Sequence, residues 1–236
     1  KKINIFMINK KTIIAIVPAR GGSKGIKLKN LKKINGKSLI EITAKLIKKC
    51  NFIDYSAIST DHQKIAIEGK KFGLNVINRP KNISGDKISD KEVLLHGLLE
   101  SEKIKDKKFD IVIMLHPTSP LRKMNDIKKS INLLIMKNYD SVWTVSETDT
   151  KFHPDKQLII KDNKIKYFTK KGKKIIYRQQ LSKVYHRNSN AYIVNTNFFK
   201  NKKTLISKNT GAYLIKGKQI SIDTLEDLNL AKTYIK

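Results

Sequence analysis

The apolar run Thr12–Pro18 (TIIAIVP) constrains the fold more than any other feature of this sequence. Its isoleucine, alanine and valine residues follow one another with no polar residue between them, which is typical of a strand buried on both faces. Ile111–Leu115 is a second run of this kind. Because a sheet with such central strands needs helices above and below it, the two runs predict an α/β fold.

The segments between these runs alternate between helical and strand patterns. Ser38–Cys50 keeps its apolar residues at helical spacing, and Ser38 is suited to cap that helix. Further predicted strands are Ala57–Thr60, Leu74–Ile77 and Ser141–Val145, and further predicted helices are Gln63–Phe72, Lys91–Ser101 and Asp126–Lys137. Repeated strand–helix units of this length indicate a mostly parallel central sheet with helices on both faces.

Residues 148–185 break this pattern. They are polar, with short β-like pieces at Gln157–Ile160 and Ile165–Phe168, and they hold too little apolar content for a core of their own. We interpret them as an arm that packs on another subunit, inserted in a single domain of residues 1–236. The α/β pattern then resumes with predicted strands at Ala191–Val194, Gly211–Ile215 and Gln219–Ile222 and a helix at Thr224–Ile235, where Thr224 and Asp227 have the spacing of a capping box.

Composition excludes several classes of protein. The single cysteine, Cys50, rules out an internal disulfide and a cysteine-rich zinc site, so we expect a reducing compartment, the cytoplasm. No apolar run approaches the roughly 20 residues of a membrane span. The stretch Ile5–Ile8 is far shorter than the core of a signal peptide.

The formal net charge of +30 raises the question of a nucleic-acid partner. However, only five of the 50 basic residues are arginine, and lysine is spread along the chain without a concentrated basic tract. We interpret this as diffuse surface charge that can attract an anionic small substrate, and expect no specific nucleic acid. A basic nucleic-acid-binding protein is the less favoured alternative.

A loop rich in glycine and lysine, Pro18–Asn30 (PARGGSKGIKLKN), follows the first strand directly. Adjacent glycines let the backbone approach a ligand closely, and successive N–H groups in such a turn can bind an anion. The loop lacks the spacing of a Walker A motif. Taken alone, it fits a phosphate-binding loop and an ordinary glycine turn equally well.

Two more segments lie where the ends of predicted strands meet loops. In Leu115–Arg122 (LHPTSPLR), two prolines fix the backbone beside Thr118 and Ser119, which also fits a rigid turn before the next helix. In Ile220–Asp227 (ISIDTLED), Asp223 stands between a predicted strand and a helix. A carboxylate there can hold a phosphate-bound Mg²⁺ or cap the helix.

Taken together, these segments resemble a known family. PARGGSKGIKLKN is followed in order by STD (Ser59–Asp61), RP (Arg79–Pro80), PTSPLR (Pro117–Arg122), RQQL (Arg178–Leu181) and IDTLEDL (Ile222–Leu228). From Thr12 to Lys236 the chain resembles the CMP-sialic acid synthetase (acylneuraminate cytidylyltransferase) family, whose members activate nine-carbon acidic sugars. The resemblance implies a Rossmann-like nucleotidyltransferase fold and a reaction in which CTP and the sugar give CMP-sugar and pyrophosphate.

The resemblance also implies roles for individual residues. Catalysis would rest on Arg20, Lys29 and Asp223, and Asp223 would hold Mg²⁺. CTP would be bound by Ala19, Arg20, Gly22, Ser23, Lys24, Asn30, Arg79 and, more weakly supported, Gly85–Asp86. The sugar would be bound by His116, Ser119, Arg178, Asn188, Tyr192 and Lys156, the last reaching across from the partner subunit of a homodimer.

Three positions depart from the family pattern. Ser221 stands where the family usually has the first of two aspartates spaced by one residue, so metal binding would rest on Asp223. This substitution motivates a second hypothesis, a catalytically weak nucleotide-sugar-binding paralogue. His116 replaces a common glutamine, and Asn188-Ser189 replaces a common Asn-Gly pair. Both differences lie on the sugar side and leave the identity of the acidic sugar open.

Overall fold

Strands and helices alternate along the chain in the computed structural model, which describes residue 8 and residues 10–235. The strands are β1 (Ile13–Pro18), β2 (Lys33–Ile34), β3 (Lys37–Ser38), β4 (Tyr55–Thr60), β5 (Asn75–Asn78), β6 (Ile111–Met114), β7 (Ser141–Glu147), β8 (Leu158–Lys161), β9 (Lys164–Tyr167), β10 (Tyr185–Asn195) and β11 (Thr210–Leu214). The α-helices are α1 (Leu39–Lys49), α2 (Gln63–Lys71), α3 (Asp90–Lys105), α4 (Met124–Met136), α5 (Thr196–Lys202) and α6 (Leu225–Tyr234).

Seven strands form the central sheet in the order β11-β7-β10-β6-β1-β4-β5. β10 is antiparallel to both of its neighbours, and the other pairings are parallel. From β1 the chain moves outward to β4 and β5, then returns to place β6 on the other side of β1. The strand order therefore reverses between β1 and β6, which is where parallel sheets form ligand-binding crevices.

The sheet is covered on both faces, as the continuous apolar runs predict. In β1, Ile13, Ala15 and Val17 join a core with α1, α2 and α4, whereas Ile14 and Ile16 join a core with α3 and α5 on the opposite face. All five side chains are completely buried. The predicted α/β class, with a mostly parallel sheet between helices, is confirmed.

A third apolar cluster lies beside the sheet. Ile26 of the glycine-rich loop and Ile34 of the β2–β3 hairpin pack against Ile222 and against Leu228 of α6. This cluster attaches the C-terminal helix to the loop that follows β1, and so determines where Asp223 lies.

The prediction of a strand at Gln219–Ile222 is wrong. Among the described residues this segment pairs with no strand of the sheet, and the Ile222 N–H donates to the Thr118 carbonyl at 2.9 Å. Gly217, at a φ of +90°, turns the chain away after β11. The alternating apolar side chains of the segment are buried in the third cluster instead of in a sheet.

Residues 148–185 form short 3₁₀ turns and the two-stranded β8–β9 hairpin, separate from the central sheet. Every residue of β8 and β9 is exposed, which agrees with the absence of a core that their composition predicts. Within the described part of the chain, no helix combines the length and the apolar content needed to cross a membrane. Most of the stretch Ile5–Ile8 lies outside the described residues.

Candidate active site

A cleft of about 540 Å³ opens where the strand order reverses. Its walls come from the loop after β1, the loop after β5, the beginning of α3, the loop after β6 and the segment before α6. Ten residues that the sequence analysis assigned to the site line it: Arg20, Ser23, Lys24, Lys29, Asn30, Arg79, Gly85, Asp86, His116 and Asp223. The fold thus brings together most of the predicted nucleotide side and part of the predicted sugar side.

Hydrogen bonds hold the glycine-rich loop in place. The Gly21 N–H donates to Asp61 Oδ1 at 2.8 Å, and the buried Asn30 side chain donates to the Arg20 carbonyl at 3.2 Å. Ala19 is buried behind the cleft, and its N–H donates to the Ser59 carbonyl. Gly22 is exposed next to the cleft. Asn30 and Ala19 therefore lie near the site and also hold the loop that carries the cations in place.

Two glycines of this loop permit close approaches that a side chain would prevent. A Cβ at Gly21 would lie 2.6 Å from the His62 ring, and a Cβ at Gly25 would overlap the backbone carbonyl oxygen of Asp223. The second contact joins the loop after β1 directly to the segment before α6. It brings the basic loop and the predicted metal ligand to the same side of the cleft.

Asp86 draws two cations of the loop together. Its carboxylate contacts Arg20 Nη2 at 2.8 Å and Lys24 Nζ at 2.9 Å. The hydrogen bond from Lys24 lowers the pKa of Asp86 most; burial opposes it, and the hydrogen bond from Arg20 and the charges of both cations keep the pKa below its usual value. Asp86 therefore stays ionised at neutral pH and orients both cations across the cleft.

Lys29 and Asp223 form the second ion pair of the site. Lys29 Nζ lies 2.8 Å from Asp223 Oδ1, and the Lys29 side chain is only 17% exposed. Ser221 Oγ lies 3.4 Å from Asp223 Oδ2. The N-cap of α6 is Thr224, in a capping box with Asp227, so Asp223 does not cap this helix with its side chain. The capping-box prediction is confirmed, and the alternative of a cap role for Asp223 is wrong.

Arg79 is buried at the base of the cleft. Its guanidinium donates to both the hydroxyl and the carbonyl of Ser59, at the end of β4. Burial lowers the pKa of Arg79, and the nearby Asp61 carboxylate partly offsets that effect. The side chain keeps its charge at neutral pH and adds a fixed positive group beneath the loop.

A different corner of the cleft contains His116 and Asp90. His116 Nε2 lies 3.4 Å from Asp90 Oδ1, and the His116 ring meets the Tyr192 ring edge-on, with 5.8 Å between centroids. Burial raises the pKa of Asp90, but the hydrogen bond from His116, the charge of His116 when protonated, and the charges of Arg187 and Arg79 outweigh it, so the pKa lies below its usual value. The sequence analysis missed Asp90, because the start of a helix carries no motif that marks it as part of a site.

Three predicted sugar-binding residues lie behind the wall of the cleft. The buried Asn188 side chain accepts from Thr144 Oγ1 at 2.7 Å and donates to Ser146 Oγ at 3.0 Å. Ser119 Oγ donates to the Ser189 carbonyl, and Tyr192 is buried between His116 and Trp143. In this structure these side chains support the wall and do not line the cleft.

Arg122 fixes the shape of that wall. Its guanidinium donates to the carbonyls of His116, Ser189 and Asn190. Complete burial lowers the pKa of Arg122 to about 9, so the group remains charged at neutral pH. Arg122 is thus a buried tie between the loop after β6 and β10.

The remaining predicted residues, Lys156 and Arg178, are exposed on the arm and do not line the cleft of their own chain. The arm also exposes ten large apolar side chains: Phe152, Leu158, Ile159, Ile160, Ile165, Tyr167, Phe168, Ile176, Tyr177 and Tyr185.

A mostly parallel sheet with a cationic, glycine-lined cleft at its switch point is typical of nucleotide-binding α/β proteins. The structure is similar to that of CMP:2-keto-3-deoxy-manno-octonic acid synthetase complexed with CTP, with a TM-score of 0.71, 13% identity and coverage of 94% of this chain and 98% of that one. It is also similar to 4-diphosphocytidyl-2C-methyl-D-erythritol synthase from Anaerococcus prevotii, with a TM-score of 0.63, 18% identity and coverage of 97% and 98%. At these identities the likeness shows the fold.

The family profile described as Cytidylyltransferase matches residues 14–236, and the chain belongs to that family. It is 29% identical over 227 residues to post-translational flagellin modification protein B of Campylobacter coli, with 95% of both chains covered. It is 26% identical over 226 residues to N-acylneuraminate cytidylyltransferase of Escherichia coli, with 94% of this chain covered. The chain spans about half the length of that second relative.

Proposed function

We propose that the protein transfers CMP from CTP to the anomeric hydroxyl of a sialic-acid-like, nine-carbon acidic sugar and releases pyrophosphate. The observation that carries this proposal is the group of cations Arg20, Lys24 and Lys29 on a glycine loop at the switch point of the sheet. Such a loop offers both backbone N–H groups and positive charge to a triphosphate. The family of the chain supports CTP as the nucleotide.

In this reaction the anomeric oxygen forms a bond to the α-phosphorus of CTP. The bond between the α-phosphorus and the bridging oxygen breaks, pyrophosphate leaves with that electron pair, and the hydroxyl proton passes to solvent. The protein has no covalent step to perform, so its task is to align the reactants and to neutralise charge as it moves onto pyrophosphate. Arg20 and Lys29 are placed to neutralise that charge, and Arg79 to hold the nucleotide.

The oxygen donors beside this loop fit a magnesium ion that is held largely by the triphosphate. Asp223 offers an exposed carboxylate, and Ser221 adds a hydroxyl at 3.4 Å from it. Mg²⁺ is commonly bound by one or two carboxylates together with substrate phosphates and water. When bound, the ion would neutralise phosphate charge that Lys29 and Arg20 do not reach.

Homodimerisation is part of the proposal. Phe152, Ile160 and Ile176 are each more than 60% exposed, and they belong to an arm whose two strands, among the described residues, pair only with each other. Exposed apolar groups concentrated on one segment are typical of a protein–protein interface. A second copy that covers them would also bring Lys156 and Arg178 toward the neighbouring cleft, where their charges suit a sugar carboxylate.

The sugar class is supported by the relatives, one of which is named N-acylneuraminate cytidylyltransferase. The cytoplasmic location that the cysteine content predicts stays a prediction.

One observation favours a second candidate, a catalytically weak paralogue. Ser221 supplies no charge, and the single carboxylate beside it is already paired with Lys29. The variant Ser221→Asp separates the two candidates. A large gain in turnover with unchanged CTP affinity would support the weak paralogue, whereas an unchanged or lower rate would support an active site that works with serine.

The proposed function is tested by measuring pyrophosphate release with CTP, Mg²⁺ and a panel of acidic sugars, with ATP, GTP and UTP as controls. We expect release with CTP and one nonulosonate. Lys29→Met should lower the rate by roughly tenfold to a thousandfold. Lys33→Met, an exposed lysine in the neighbouring hairpin, is the matched control. Release that depends equally on every nucleotide, or a fully active Lys29→Met variant, would contradict the assignment of the loop.

A further inference from the structure

The corner of the cleft formed by Asp90 and His116 is not explained by phosphate binding. Asp90 is the first residue of α3, and His116 lies just beyond β6, so two distant parts of the chain meet there. The carboxylate contacts Nε2 of the imidazole at 3.4 Å, and both side chains line the cleft. His116 belongs to the segment Leu115–Arg122, whereas Asp90 belongs to no motif of the sequence, and no cation of the glycine loop contributes to this contact.

The chemistry of the contact fixes where the imidazole carries its proton. An ionised carboxylate is only an acceptor, so Nε2 must be the donating nitrogen. His116 Nδ1 is buried and has no hydrogen-bond partner among the described residues. A bare lone pair is easier to leave unpaired in such a position than an N–H group, so the Nε2–H tautomer of neutral imidazole suits this site.

The surroundings keep the ring from turning. Arg122 donates to the His116 carbonyl at 2.6 Å, and the Tyr192 ring packs edge-on against the imidazole. A 180° flip of the ring would exchange Nε2 with Cε1 and so leave a carbon, not a nitrogen, at the Asp90 carboxylate. With backbone and ring both supported, the Asp90 carboxylate decides which nitrogen faces the cleft.

We infer that Asp90 is a positioning residue for His116, and that the two form the corner that receives a hydrogen-bond-donating group of the sugar, a hydroxyl or an amide N–H. This inference rests on the proposed function. The Asp90 side chain is 47% exposed, so one carboxylate oxygen remains accessible to a ligand donor. The same negative charge repels the sugar carboxylate, which is therefore directed away from this corner and toward cations.

Two measurements test the inference, and the first needs no turnover. Nitrogen-15 NMR of the histidine side chains reports which ring nitrogen carries the proton, and the His116→Gln variant identifies the His116 signals among those of five histidines. We expect Nε2–H in the unaltered protein and a changed tautomer balance in Asp90→Asn. A bare Nε2 facing Asp90 in the unaltered protein would overturn the inference, whatever the enzyme's activity.

The second measurement separates sugar recognition from nucleotide recognition. In Asp90→Asn we expect the KM for the sugar to rise roughly tenfold, as for a lost hydrogen bond to a charged group, with the KM for CTP and kcat little changed. Asp106→Asn is the matched control, because Asp106 lies at the far end of α3 in a left-handed conformation that asparagine adopts readily. An unchanged sugar KM, or an equal rise in both KM values, would overturn the inference. Absence of turnover with every acidic sugar would instead count against the proposed function and leave the NMR result to decide the role of Asp90.

Discussion

Gly25→Ala tests whether the contact between the glycine loop and Asp223 sets the geometry of the cleft. The φ of Gly25 is one that alanine also adopts, so the change is steric, and its new Cβ would overlap the Asp223 carbonyl oxygen. Relief of that overlap requires a shift on the order of 1 Å between the loop and the segment before α6, and a misplacement of that size commonly costs about a hundredfold in rate. We expect kcat/KM for pyrophosphate release to fall about a hundredfold.

The fold should survive this substitution, since Gly25 is exposed and lies outside the sheet cores. A thermal unfolding midpoint within a few degrees of that of the unaltered protein would separate the effect on the site from a loss of stability. Gly22→Ala makes the same change in the same loop, but a Cβ there meets no atom within 4 Å, so its loss of rate should be at least tenfold smaller. Equal losses in the two variants, or a Gly25→Ala rate within twofold of normal, would refute the reasoning.

Three further predictions concern single side chains. Asp223→Asn removes the charge opposite Lys29 but keeps the Thr224 cap of α6. We therefore expect a rate at least tenfold lower at limiting Mg²⁺ and an unchanged unfolding midpoint. A loss of stability alone would contradict a role of Asp223 in the site. Arg122→Met leaves three carbonyls without their buried donor and should lower the free energy of unfolding by about 3 kcal/mol in urea denaturation, whereas equal stability would contradict the role of this tie. Asp110→Asn should lower the unfolding midpoint at pH 7 and have little effect at pH 2. Burial raises the pKa of Asp110, but the hydrogen bonds from Thr12 outweigh it, so the pKa in the folded protein is lowered. The ionised carboxylate therefore stabilises the fold above the model-peptide value of 3.8, and this stabilisation disappears as the pH falls through the lower folded-state pKa.

The parts of the fold that could be predicted are those in which local pattern and tertiary burial agree. The run at Thr12–Pro18 predicts a central strand because each residue from Ile13 to Val17 belongs to one core or the other. In β10 only Ala191–Val194 could be recognised, since residues 185–187 are exposed and a register shift follows them. The antiparallel direction of β10 could not be predicted either, because strand direction is set by the path of the connecting arm.

The failure at Gln219–Ile222 and the omission of Asp90 have a common cause. Alternating apolar residues indicate that one side of a segment is buried. In this segment the apolar side chains are buried in the cluster with α6, which buries them as well as a sheet would. The position of Asp90 is explained by the helix alone, since an acidic residue in the first turn of a helix is favourable. Only the meeting of α3 with the end of β6 gives it a second role. Local sequence therefore identifies residues that carry a motif, and misses those that the topology alone brings to the site.

The charge of the whole chain and the charge of the cleft have different consequences. Lysines spread over the surface produce a broad positive field that draws anions and weakens with salt. Within the cleft, the cations of the glycine loop are already paired, Arg20 and Lys24 with Asp86 and Lys29 with Asp223. Because both carboxylates are exposed to solvent, each pair is weak enough for a triphosphate to take over its cation at little cost. The two aspartates therefore hold the cations in position, and under the proposed function a phosphate that pairs with Lys29 would free the Asp223 carboxylate for the proposed magnesium ion.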